Sequence, residues 1–153
     1  DIPSGMIRVQ GGERFLRMAL LGYLEPIQLG DFLIDKCEVT NKQFKEFVDN
    51  GGYRKKEYWK NEFIKDDKIL SWEEAVAEFQ DLTGRPGPST WKLGTFSEGQ
   101  DDYPVNGISW YEAAAYAVFA GKSLPTVYHW ATVAGLDCGC RVYRNRHYIA
   151  GTC

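Results

Sequence analysis

Residues 104–130, PVNGISWYEAAAYAVFAGKSLPTVYHW, constrain the fold more than any other part of the chain. Ser109 is placed as a helix N-cap. Glu112, three residues on, can return its carboxylate to the cap N–H, the arrangement of a capping box. Ile108 and Ala113 stand where a hydrophobic staple would. Between Trp110 and Ala120 only Glu112 is charged. Trp110, Ala113, Ala114, Ala117 and Val118 recur at helical spacing and predict the buried stripe, with Tyr111, Tyr116 and Phe119 on other faces. A helix so apolar all round belongs inside a protein. Gly121 is a C-terminal stop, and Lys122 sits where the helix dipole favours a cation. Residues 124–126 then open a second helix, with Thr126 as its N-cap.

The rest of the chain is punctuated by the same signals. Residues 6–10 (MIRVQ) alternate and run into Gly11-Gly12, a strand followed by a turn. Residues 14–21 suggest a second strand. Residues 27–39 predict strands broken at Gly30-Asp31. Thr40 and Gln43 form a capping box, with Val39 and Phe44 as its staple. The helix they start turns Phe44, Phe47 and Val48 inward and stops at Asn50-Gly51-Gly52. Residues 54–103 are less regular. A third box at Ser71 and Glu74 predicts a helix to about Gln80, with Ala75, Val76 and Phe79 inward. Residues 83–88 (TGRPGP) are a loop signal, and residues 91–103 read as loop. Helices are thus expected to begin at Thr40, Ser71, Ser109 and Thr126.

The order of these motifs resembles a known family. GISWYEAAAYAVFAGKSLPTVYHW is similar to the central motif of the formylglycine-generating enzymes, or sulfatase-modifying factors. Residues 5–15 resemble the family's opening Gly-Met and Gly-Gly motif, and residues 31–53 its "DF.iDk.EVTn.qF..FV..GGY". The wording of residues 84–105 and 109–130 looks closest to bacterial members joined to serine/threonine kinases. The resemblance covers residues 5–135. It implies an irregular α+β fold, the formylglycine-generating-enzyme variant of the C-type lectin fold, present here in part. The division it suggests is a family-like domain over residues 1–135 and an unmatched, Cys-rich tail over 136–153. In full-length relatives the missing half holds calcium and the cysteine pair that binds copper and oxidises a substrate cysteine. The expectation for this chain is a truncated family domain without its own cofactor.

Candidate chemistry is concentrated in the tail. Cys138, Cys140, His147 and Cys153 offer thiolates and an imidazole that could hold zinc, although C-x-C departs from the usual C-x2-4-C spacing. No metal site is expected from them. Cys37 reads as a buried free thiol, and four cysteines do not force a disulfide framework on a chain this long. Glu98, Asp101 and Asp102 lack any EF-hand spacing and read as a solvated acidic loop. The five tryptophans, Trp59, Trp72, Trp91, Trp110 and Trp130, are read as core rather than groove. His129 stands where the family has Glu. A neutral imidazole is not an acceptor-only group, so it is not expected to repeat the carboxylate's cap bond; it reads as a structural substitution.

The sequence identifies no catalytic or cofactor-binding residue. A net charge of −3 argues against a nucleic-acid surface, and no apolar run is long enough to span a membrane. Two functions follow from the resemblance. One is a non-catalytic ligand-binding or sensor module, for a small ligand or a peptide, joined to a kinase in a bacterial parent protein. If that kinase is membrane-bound, the module would be extracytoplasmic. The other is a copper-dependent oxidase that converts a substrate cysteine to formylglycine. The scaffold motifs suffice for the first. The second needs a preorganised thiolate pair, which no segment supplies clearly.

Overall fold

The structure, a computed structural model, describes residues 1–18 and 22–135. In chain order the elements are β1 (Met6–Val9), β2 (Gly12–Arg14), β3 (Arg17–Met18), β4 (Gly22–Tyr23), β5 (Ile27–Leu29), β6 (Phe32–Asp35), α1 (Asn41–Asp49), a 3-10 turn (Lys56–Tyr58), β7 (Phe63–Lys65), β8 (Lys68–Leu70), α2 (Trp72–Val76), α3 (Trp110–Phe119) and α4 (Val127–Ala134). This is a mixed α/β architecture of small sheets and four helices. By contact the chain divides into two units, one holding Asp1–Cys37 with the segment from Pro125, the other Glu38–Leu124. Among the described residues no helix is long and apolar enough to cross a membrane.

In the first unit β1 pairs antiparallel with β6, Met6 opposite Asp35 and Val9 opposite Phe32. β2 pairs antiparallel with β5, Gly12 opposite Leu29. The expected break at Gly30-Asp31 lies between the two pairings. There the Asp31 carboxylate accepts from Arg8 Nη2 at 2.6 Å and from the Gly11 N–H at 2.9 Å. Gly11 has no room for a side chain, since a Cβ would fall against the backbone of Leu29 and Gly30. Of the second strand expected over 14–21, the described residues hold the end of β2 at Arg14 and β3 from Arg17, with a break between them; residues 19–21 lie outside the described residues. Arg14 is buried. Its guanidinium donates to the carbonyls of Gln10 (2.9 Å) and Glu13 (3.3 Å) and to Thr132 Oγ1 of α4 (3.1 Å). A buried cation therefore ties the β2 strand to α4.

All four expected N-caps are present. Thr40, Ser71, Ser109 and Thr126 each accept from the N–H three residues on, and the residue at that position returns its side chain to the cap. α1 and α3 also end alike. Gly51 and Gly121 take positive φ, and the next N–H, of Gly52 or Lys122, reaches back to Phe47 O or Ala117 O. This double closure satisfies carbonyls that the helix end leaves open. α2 stops at Val76, short of the expected Gln80, yet Phe79 still packs against the core from the turn that follows.

The core of the second unit is aromatic: Phe44, Phe47, Tyr53, Trp59, Phe63 and Trp91, with Ala75 and Ala115. Its large rings meet edge-on or tilted, as Phe44 does against Trp91, the arrangement aromatic quadrupoles favour. The buried face of α3 keeps Ala114 and Ala117 of the expected stripe but not its large members. Trp110 is 58% exposed and Val118 is exposed, while Tyr111, Tyr116 and Phe119 pack against the core. The alanines explain the difference. Where a helix is apolar on every side, periodicity does not select a face, and the rings already filling the core take the flank with complementary ones.

Residues 66–67 make a tight hairpin that the sequence reading missed. Asp66 and Asp67 both have positive φ and join β7 to β8, with Ile64 opposite Ile69. Short polar side chains tolerate that left-handed pair.

Candidate functional site

Glu112 is the pivot of the second unit. It is the N3 residue of α3, and its Oε2 accepts from the Ser109 N–H at 2.6 Å, completing the cap. Its Oε1 accepts from Tyr53 Oη at 2.5 Å. The residue is 3% exposed. Burial pushes its carboxyl up; the donors from Ser109 and Tyr53 pull it back only in part. Both donors are neutral groups. Burial also pushes the Tyr53 phenol up, and the adjacent carboxylate adds to it.

A cleft of about 330 Å³ opens beside this group. Phe79 and Ile108 form its apolar wall, and Glu78, Ser89, Ser109 and Glu112 supply polar groups. Two close backbone approaches shape it. Ser89 N–H and Oγ both donate to Gly107 O, at 2.8 and 2.9 Å. Gly107 has φ +70, and a Cβ there would meet Ser89 Oγ and Thr90 within 2.9 Å. Glu78 is drawn outward to Lys65 Nζ at 2.7 Å.

The loop over residues 81–95 is ordered by Asp81, buried at 6% exposure. One carboxylate oxygen accepts from Thr83 N–H and Oγ1, both at 2.7 Å, and from Arg85 N–H at 3.1 Å. The other accepts from Gly94 N–H at 2.6 Å. Burial alone would raise the Asp81 carboxyl; the Gly94, Thr83 and Arg85 donors outweigh it and hold it down at about 2. Leu93, at φ +57, is fixed in that turn by its own N–H to Thr83 Oγ1 and its carbonyl to Arg85. Asn41 plays the same part for residues 100–103. It is buried, takes the Trp91 indole N–H at 3.1 Å, and donates to Gln100 O at 2.9 Å.

The residues singled out from sequence are scattered. Cys138, Cys140, His147 and Cys153 lie outside the described residues. Cys37 is half-buried and disulfide-bonded, which corrects the reading of a buried free thiol. Glu98, Asp101 and Asp102 are exposed on a turn. Among the described residues, no group of three or more His, Cys, Asp or Glu could hold a metal ion. Trp59 and Trp91 are core, but Trp110 and Trp130 are 58% and 55% exposed, so the tryptophans do not all pack inside. His129 does repeat the cap bond: its Nδ1 accepts from the Thr126 N–H at 3.3 Å. A neutral ring with its proton on Nε2 presents Nδ1 as a bare acceptor, the possibility the sequence argument overlooked.

Sequence reasoning saw Glu112 as a cap and missed its burial. The available signal was a single charge inside an eleven-residue apolar run. Asp81 carried a weaker one, the D-x-T spacing of a side chain that bonds its backbone two residues on.

Comparison with known proteins places these features in context. The family described as sulfatase-modifying factor enzyme 1-like domain matches residues 2–152. The formylglycine-generating enzyme of Thermomonospora curvata is 33% identical over 168 residues, covering 90% of this chain and 51% of that protein. The hercynine oxygenase of Mycobacterium tuberculosis is 30% identical over 114 residues, 69% of this chain and 24% of that protein. The serine/threonine-protein kinase pkn1 of Chlamydia caviae is 33% identical over 132 residues, 82% of this chain and 18% of that protein. The chain thus spans at most about half the length of these relatives.

Proposed function

Because this chain belongs to the family of sulfatase-modifying factor enzyme 1-like domains, we propose that it is a ligand-binding or sensor module on the family scaffold, with the cleft beside Glu112 as its binding site. The observation that carries the reading is Glu112 itself. A buried carboxylate whose two donors are neutral is left without a compensating cation. A ligand with an ammonium head and an apolar body would supply that charge and lie along Phe79 and Ile108. Linkage to a kinase, as the name of the Chlamydia relative describes for that protein, suits a module that reports on a ligand. The disulfide at Cys37 favours an oxidising, extracytoplasmic compartment. The short antiparallel pairings joined by long ordered loops support the C-type lectin variant as the fold.

The test is a titration of the isotope-labelled chain with benzylamine and, separately, benzoate. The amine should give saturable amide shifts at Gly87, Gly107 and Ser109, weakened in Glu112→Gln, whose side-chain oxygen can still serve the cap as Gln43 does at Thr40, and benzoate none. Equal response to both probes, or shifts elsewhere only, would remove the cleft from consideration.

A second reading is the copper-dependent oxidase, favoured by the formylglycine-generating enzyme that matches 90% of this chain. The described residues do not fit a copper ion, since the one described cysteine, Cys37, is held in a disulfide. The thiols such chemistry requires would have to come from Cys138, Cys140 or Cys153.

A further inference from the structure

We propose that Asn106-Gly107 is a self-modification site, at which the chain converts its own asparagine to aspartate and isoaspartate. The sequence holds two Asn-Gly pairs, Asn50-Gly51 and Asn106-Gly107. In such a pair the side-chain amide is open to attack by the next backbone nitrogen, because glycine has no Cβ to block the approach. The structure treats the two pairs differently. Asn50 closes α1: its Nδ2 donates to Glu46 O at 2.7 Å, and the Gly51 N–H is committed to Val48 O at 3.0 Å. Both the side chain and the attacking nitrogen are occupied there. Asn106 and Gly107 are both exposed. Among the described residues, no hydrogen bond holds the Asn106 side chain or the Gly107 N–H.

The carbonyl of the same peptide group is occupied in a way that helps the reaction. Thr90 Oγ1 donates to Asn106 O at 3.0 Å. The attacking species is the Gly107 nitrogen after loss of its proton, and its negative charge is shared with Asn106 O. A hydroxyl already donating to that oxygen stabilises the anion, since a hydrogen bond to a charged acceptor is roughly twice as strong as a neutral one. Gly107 O is held in turn by Ser89 N–H and Oγ, at 2.8 and 2.9 Å. The carbonyls thus fix the 106–107 main chain and leave its nitrogen to solvent base. Glycine is also required here: at φ +70, a Cβ would meet Ser89 Oγ and Thr90 Cγ2 at 2.7 Å.

The step balances with water alone. A base takes the Gly107 amide proton, and the nitrogen attacks Asn106 Cγ. The N–Cγ bond forms, the Cγ–Nδ2 bond breaks, and Nδ2 leaves as ammonia with a proton from solvent. Water then opens the cyclic imide. Opening at Cγ gives aspartate; opening at the former main-chain carbonyl gives isoaspartate, whose main chain runs through Cγ. Either product adds a carboxylate. Isoaspartate also adds a methylene to the main chain just before Gly107, which lines the cleft. The chemistry depends on this peptide group and Thr90, and not on what the cleft binds.

The experiment is peptide mapping of the 153-residue chain by mass during incubation at pH 8, folded and, in parallel, unfolded in guanidinium chloride. Wild type, Thr90→Val, Thr90→Ser and Asn106→Gln are compared. The folded wild type should accumulate acid at Asn106 and not at Asn50, whose peptide is the internal control. The unfolded chain should convert both alike. Folded Thr90→Val should convert Asn106 about tenfold more slowly, the effect on a rate of one hydrogen bond to a charged group. Thr90→Ser keeps the hydroxyl and should keep the wild-type rate, and Asn106→Gln should gain no acid at that position. Folded wild type in which Asn106 converts no faster than Asn50, or a folded Thr90→Val chain that converts as fast as wild type, would overturn the proposal.

Discussion

Tyr53, in the turn that follows α1, donates its phenolic proton to Glu112 in the first turn of α3, 59 residues away, across 2.5 Å of buried space. The same carboxylate caps α3. Helix initiation and tertiary docking thus share one side chain. Truncating it should cost more than either role alone. Glu112→Ala is expected to lose about 2–4 kcal/mol in urea unfolding, combining a lost cap with a stranded buried hydroxyl. Tyr53→Phe should lose about 1–2 kcal/mol. The double variant should lose clearly less than the sum, because the two residues share the bond. Strict additivity would show the contact to be incidental.

Asp81 makes the 81–95 loop sensitive to acid. Its carboxyl is held at about 2, against 3.8 for the unperturbed group. A lowered folded value stabilises above the unfolded one, so its contribution is full above about pH 4 and is lost as the pH falls from there through about 2. Glu112 acts with the opposite sign. Its raised carboxyl contributes fully below the ordinary carboxylate range, and that contribution is lost as the pH rises through the elevated value. Stability should therefore be measured from pH 7 to 2. Asp81→Asn should be weaker by about 1–3 kcal/mol at pH 7 and show a flatter acid limb. A parallel limb would mean the four donors do not select the ionised form.

Gly52 closes α1 under the Phe47 ring, and a Cβ there would come within 2.6 Å of ring carbons that are fully buried. Gly52→Ala should cost about 1–3 kcal/mol by overpacking. Gly121→Ala, where space is open but φ is +67, should cost less, through backbone strain alone. The reverse ranking in thermal unfolding would contradict the packing argument.

The helix starts were legible because capping is local chemistry: a hydroxyl and a partner three residues on are visible at Thr40, Ser71, Ser109 and Thr126. The break at Gly30-Asp31 was legible for the same reason. What was not legible depends on tertiary choice. An all-apolar helix such as α3 hides which face is buried, so Trp110 was placed in the buried stripe and Phe119 off it. The cleft was invisible because its polar members, from Glu78 to Glu112, come from three separated segments. The disulfide at Cys37 cannot be inferred from one cysteine far from the others. His129 was misjudged by treating imidazole as a poor substitute for a carboxylate, when one tautomer suffices.

The account's central claim is that this chain binds rather than oxidises, and one assay tests it directly. The chain is loaded with Cu(I), given an aerated sulfatase-type cysteine peptide, and the peptide mass is followed for conversion of the thiol to an aldehyde. A reactive pair must be preorganised, since a displacement of about 1 Å can cost about a hundredfold in rate. The account predicts no turnover above the copper-only control. Turnover that exceeds the control, and is abolished by Cys138→Ala or Cys140→Ala, would contradict it and make the chain an oxidase.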